Sequence, residues 1–150
     1  MKQNKILIVE DQRNCVEALE YAVNSVSPGF FPDFQKGDFD IARCYQEAEE
    51  KIQGNAYGVV LLDNRMPYEN QVELEKKDFD GFCATLENIG YSLIPKIKER
   101  NPKTVVIGTS SLSGEELGRF PEPDFSMRKR FEESKTDLEG IFRQVNGGNE

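Results

Sequence analysis

The sequence predicts a doubly wound α/β domain, an open parallel sheet of five strands with helices on both faces. Three observations carry that expectation. Apolar runs at Ile6–Val9, Val59–Leu62 and Val105–Ile107 are short and lack polar alternation, which suits strands buried on both faces. Stripes of apolar residues at helical spacing lie between and after these runs. The chain has 150 residues and no linker long enough to divide it, so a single domain spanning 1–150 is expected.

Taken in order, the first strand is Ile6–Val9, bounded by Lys5 and by Glu10 and Asp11. Val16, Leu19, Val23 and Val26 then form one helix stripe, with Asp11 placed to cap its start. Phe39 to Cys44 reads as a weaker second strand and Tyr45 to Gln53 as a short polar helix. The third strand is Val59–Leu62, closed by Asp63. Ile89, Leu93, Ile94 and Ile97 give a further stripe, which Pro95 should kink or restart. The fourth strand, Val105–Ile107, is closed by Gly108, Thr109, Ser110 and Ser111, and Phe125 to Lys129 is the fifth, with Phe125 and Met127 inward. Leu138, Ile141, Phe142 and Val145 mark the last helix, with Ser134 or Thr136 as its cap and Gly147-Gly148 as its end. Two irregular segments, 27–38 and 68–80, read as loop insertions; the second carries five acidic residues and two lysines. Alternating strands and helices imply right-handed crossovers and a parallel sheet.

Composition narrows the function. A net charge of −8 argues against nucleic-acid binding by phosphate neutralisation, and no apolar run is long enough to cross a bilayer. The absence of histidine excludes a Ser-His-Asp triad, the usual zinc site and a phosphohistidine carrier. Cys15, Cys44 and Cys83 form no CxxC pair and read as small buried residues of a reduced, cytoplasmic protein.

Open α/β sheets bind ligands beyond the carboxyl ends of their strands. Glu10, Asp11 and Asp63 stand at such ends, with the Thr109–Ser111 hydroxyls after the fourth strand and Lys129 at the fifth. Carboxylates gathered at one rim repel each other, and a hard divalent cation such as Mg²⁺ relieves the repulsion through oxygen ligands. A metal, a free carboxylate, a hydroxyl and a lysine together suit phosphoryl transfer. Asp11 as a helix cap, and Lys129 as part of a surface basic cluster with Arg128 and Arg130, are the simpler structural readings.

Ile6-Leu7-Ile8-Val9-Glu10-Asp11, Val60-Leu61-Leu62-Asp63-Asn64-Arg65-Met66-Pro67, the fourth-strand hydroxyls and Lys129-Arg130-Phe131 together resemble the receiver domain of two-component response regulators. The resemblance implies a flavodoxin-like (CheY-like) fold of strand order 2-1-3-4-5. It implies that Asp63 is the phosphoacceptor, charged by a histidine kinase or a phosphotransfer protein. Glu10, Asp11, Asp63 and the main-chain carbonyl of Arg65 would hold Mg²⁺, and Lys129 would pair with the phosphoryl group. The switch hydroxyl is Ser110 if Gly108 takes the family's small-residue place, and Thr109 if the apolar run is counted otherwise. The chain departs from the family in Arg130, where a proline is usual, in Ser126, where an aromatic is usual, and in the long segment after Pro67.

The expected function is that of a stand-alone receiver, since only the last helix follows Lys129. It would act through a downstream protein rather than through nucleic acid or membrane, and would catalyse at most its own phosphorylation and dephosphorylation. The alternatives are a binding module of the same fold that no longer needs phosphorylation, and a phosphohydrolase with Asp63 as nucleophile. The second normally requires an acid two residues on, where this chain has Arg65.

Overall fold

The structure is a computed structural model that describes residues 5–110 and 118–147. The elements run β1 (Ile6–Val9), α1 (Arg13–Val26), β2 (Asp40–Ala42), α2 (Tyr45–Gly54), β3 (Val59–Leu62), β4 (Arg65–Met66), α3 (Val72–Lys77), α4 (Phe79–Cys83), β5 (Glu87–Asn88), a 3₁₀ turn (Gly90–Leu93), α5 (Ile94–Arg100), β6 (Val105–Gly108), β7 (Phe125–Ser126) and α6 (Phe131–Gly147). Five strands form a parallel sheet of order β2-β1-β3-β6-β7, the expected doubly wound order, and β4 and β5 form a separate antiparallel pair. Ser111 and Gly148 fall on residues outside the described ones.

Alternation along each buried strand divides the core in two. Ile6, Ile8, Val59 and Leu61 face α1 and α6, meeting Leu19, Val23, Leu138 and Phe142. Leu7, Val9, Val60 and Leu62 face the other way, onto Ala48 and Ile52 of α2 and Ile94 and Ile97 of α5. Pro95 lies in the first turn of α5, just after the 3₁₀ turn, so the expected kink is a restart.

Several local expectations are corrected. The cap of α1 is Gln12, not Asp11, and it makes no side-chain cap bond. The last helix begins before both of its proposed caps: the Ser134 N–H already donates to the Arg130 carbonyl at 2.7 Å. Ser134 is fully buried in that helix because its hydroxyl bonds to the carbonyls of Phe131 and Ala18. The fifth strand stops at Ser126 rather than Lys129, because its partner β6 ends at Gly108, opposite Ser126. Cys44 is more than a buried hydrophobe, since its Sγ accepts the Glu47 N–H at 3.5 Å and caps α2.

Both insertions are built into the fold. In 27–38, Phe31 and Phe34 are buried, and the Phe30 and Phe31 rings stand edge-on to Phe142. The 68–80 segment holds α3 and the start of α4, and the β4–β5 pair closes it. Its first residues lie across the start of α2, where the Tyr45 and Gln46 N–H groups donate to the Pro67 and Tyr68 carbonyls at 3.1 and 3.0 Å.

Candidate functional site

Strand register builds the site. Val9 pairs with Leu62, Leu62 with Gly108, and Gly108 with Ser126. The next residue on each strand therefore emerges in a row along one rim: Glu10, Asp63, Thr109 and Met127. Each adds one more rung to the ladder, with Glu10 N–H to Ala42, Asp63 N–H to Val9, Thr109 N–H to Leu62 and Met127 N–H to Gly108, all between 2.9 and 3.1 Å. A flush sheet edge thus converts four separate sequence positions into one site.

Glu10, Asp11 and Asp63 are all buried, at 1%, 2% and 5% exposure, although they are carboxylates. Lys129, two residues past the rim, reaches back between two of them, with Nζ 2.7 Å from Glu10 Oε1 and 2.9 Å from Asp63 Oδ2. It belongs to the site and not to a surface basic cluster. Glu10 Oε2 accepts the N–H groups of Asp11 and Gln12 at 2.9 and 3.0 Å, and Asp63 Oδ1 accepts that of Asn64 at 2.8 Å. Asp11 differs: both its carboxylate oxygens are buried without a hydrogen-bond partner among the described residues.

The electrostatics follow from this geometry. Burial, and then the Glu10 charge, push Asp11 up to about 9. Burial and Glu10 also raise Asp63, to about 6, against the opposing pull of Lys129. Burial alone would lower Lys129, but Glu10 and Asp63 outweigh it and hold the ammonium above its ordinary range. Burial first, and then Glu10, push the Cys15 thiol up to about 11, which makes it a poor nucleophile.

Lys129 pairs with two of the three acids and leaves Asp11 to hold a proton or a cation. The oxygens of Glu10, Asp11 and Asp63 lie within 4.8 Å of one another, an all-oxygen donor set that suits a hard divalent cation, and the two unpartnered oxygens of Asp11 are free to take it. The Arg65 side chain is exposed, so only its main chain could contribute to such a site, and it supplies no acid. Thr109 is buried at 1% exposure and its hydroxyl has no partner among the described residues, whereas Ser110, one residue further, is half-buried.

Sequence reasoning missed the residues that frame this rim. Asn64 is fully buried; its carbonyl accepts the Ile89 and Gly90 N–H groups and its Oδ1 accepts that of Tyr91. A Cβ on Gly90 would stand 1.9 Å from the Asp63 carbonyl, so only glycine permits that approach. On the other side, Arg43 Nη2 donates to the Asp11 carbonyl at 2.8 Å and meets Glu75 Oε1 of α3 at 3.4 Å. Glu75 also accepts the Arg13 N–H at the start of α1, at 3.2 Å. These contacts join residues far apart in sequence, and the only trace they leave in it is a lone glycine and polar residues in an irregular stretch.

No family model matches the chain, and a search of curated proteins finds no match. The likeness is in three dimensions. A CheY-like response regulator receiver domain from Methanospirillum hungatei JF-1 is 17% identical with a TM-score of 0.63, over 97% of this chain and 96% of that one. A response regulator receiver protein from Sinorhizobium medicae WSM419 is 16% identical at 0.63, over 99% and 98%. A two-component transcriptional regulator from Clostridium phytofermentans ISDg is 20% identical at 0.58, over 97% of each chain. Strand order, rim and whole-chain similarity agree: this chain has the flavodoxin-like, CheY-like fold of response regulator receiver domains.

Proposed function

We propose that this chain is a single receiver domain of a two-component phosphorelay, in which Asp63 accepts a phosphoryl group from a histidine kinase or a phosphotransfer protein. The observation that carries the reading is the buried set of Glu10, Asp11, Asp63 and Lys129, with Asp11 unpartnered. An Asp63 oxygen attacks phosphorus, the new P–O bond forms as the donor's P–N bond breaks, and the donor imidazole keeps the electron pair. Lys129 already lies against Asp63 and is placed to meet the added charge. Mg²⁺ held by Glu10, Asp11, Asp63 and the Arg65 carbonyl would offset the charge on the phosphoryl oxygens. Thr109 or Ser110 donates a hydroxyl to the same group; the register that sets Thr109 beside Asp63 supports Thr109. The chain works in the cytoplasm and catalyses no more than its own phosphorylation and dephosphorylation. Its output is contact with a downstream protein.

Intact mass after incubation with Mg²⁺ and acetyl phosphate tests this reading. Wild type should gain one phosphoryl group, and Asp63→Asn none. Equal labelling of the variant, or no labelling of the wild type, would overturn the assignment.

A further inference from the structure

Tyr91 belongs to the 3₁₀ turn that follows the insertion, yet it is 1% exposed and spans two parts of the site. At one end its N–H donates to Asn64 Oδ1 at 2.9 Å, and Asn64 in turn donates to Asp63 Oδ1. At the other end its hydroxyl lies over the close of β6, where a Cβ on Gly108 would stand 2.3 Å from it. There Tyr91 Oη accepts the Ser110 N–H at 3.4 Å, near the outer limit of a hydrogen bond and therefore cheap to break. The residues just before it, Glu87–Asn88, pair with Arg65–Met66 and close the insertion. One residue thus connects the Asn64 loop, through its main chain, with the end of β6, through its hydroxyl, beside the β4–β5 pair that closes the 65–91 segment.

From this juxtaposition we infer that Tyr91 is a positioning residue that couples the state of Asp63 to the 65–91 segment. The inference rests on the phosphoacceptor reading and names how that site is read out. The buried Thr109 hydroxyl has no acceptor among the described residues, and a phosphoryl group on Asp63 supplies one beside it. Thr109 and Ser110 share a peptide unit, so a Thr109 that turns to the phosphoryl group carries the Ser110 N–H with it and Tyr91 Oη loses that bond. Gly90, packed against the Asp63 carbonyl and the Met66 side chain, passes the adjustment to the β4–β5 pair. Ser126, at the end of β7, is exposed and has no ring to take this part.

Hydrogen exchange with and without Mg²⁺ and beryllofluoride, in wild type and in Tyr91→Phe, tests the coupling. Phenylalanine keeps the ring in place and removes only the hydroxyl. In wild type, exchange in peptides from 65–91 should rise about twofold or more when beryllofluoride binds. In Tyr91→Phe the segment should already exchange faster, and the added change should fall to less than about half. An equal change in both proteins, or none in wild type with beryllofluoride bound, overturns the inference and leaves Asp63 as acceptor untouched. Failure of wild type to take up a phosphoryl group, measured in parallel by intact mass, overturns the acceptor reading and this inference with it. Fluorotyrosine-labelled wild type gives a second reading: the ¹⁹F resonance missing from Tyr91→Phe should shift on beryllofluoride addition, and a resonance that stays in place refutes the coupling.

Discussion

Asp11 holds two buried, unpartnered carboxylate oxygens, so in the metal-free chain it keeps a proton up to about pH 9 instead of 3.8. The sign of the consequence is fixed. A carboxyl whose folded pKa is raised binds its proton more tightly in the folded state, so stability falls as pH climbs from the unfolded value to the folded one. Metal-free melting temperature should therefore decline between pH 4 and 9, with Asp63 adding to the slope between about 4 and 6. Asp11→Asn should flatten that decline and leave the variant more stable than wild type at pH 8, by about 1–3 kcal/mol; melts in chelator across the range will check it. Thr109 offers the complementary case. Thr109→Val removes a buried hydroxyl that has no partner, so metal-free stability should hold or rise by up to about 1 kcal/mol. The same variant should lose phosphoryl-group stability, read as a faster decay of the labelled species than in wild type. Unchanged decay would assign the hydroxyl role to Ser110.

The strands and most helices were legible because burial writes itself into sequence as periodicity. Continuous runs marked β1, β3 and β6, and 3.6-residue stripes marked α1 and the last helix. The acidic residues and lysine of the rim were legible through their places at strand ends. What escaped was whatever depended on contact between distant elements. Ser134 reads as a cap because serine is polar, but two carbonyls satisfy it inside the α1–α6 packing. The helix α3 has no buried residue and therefore no stripe, and it is tied down by Glu75 instead. The element-scale prediction lies at the 3₁₀ turn. Gly90→Ala forces a Cβ onto the Asp63 main chain, which cannot yield as a flexible side chain would. It should cost about 2 kcal/mol or more in urea unfolding and displace the Asp63–Asn64 loop. A variant as stable as wild type would show that the turn does not bear on Asp63.

For the molecule as a whole, metal and core give separable tests. A cation that binds only the folded chain stabilises it by mass action, so Mg²⁺ at a hundred times its dissociation constant should add about 2.7 kcal/mol. Asp11→Asn should remove most of that gain, and thermal melts with and without Mg²⁺ will show it. Phe31 belongs to the α1–α6 core although it lies in an insertion, and Phe31→Ala should cost about 3–5 kcal/mol. The other insertion is tied in differently. The first turn of α2 finds its acceptors in the Pro67 and Tyr68 carbonyls, which every residue type possesses. The letters at 67 and 68 can therefore drift with little effect on this helix start, provided the chain still passes there. A shortcut from Met66 straight to Asp80 would strip two amides of their partners. Related chains should accordingly vary positions 67 and 68 freely while keeping the path, and an engineer grafting a new segment here should begin after Asn70 and keep a carboxylate in the place of Glu75.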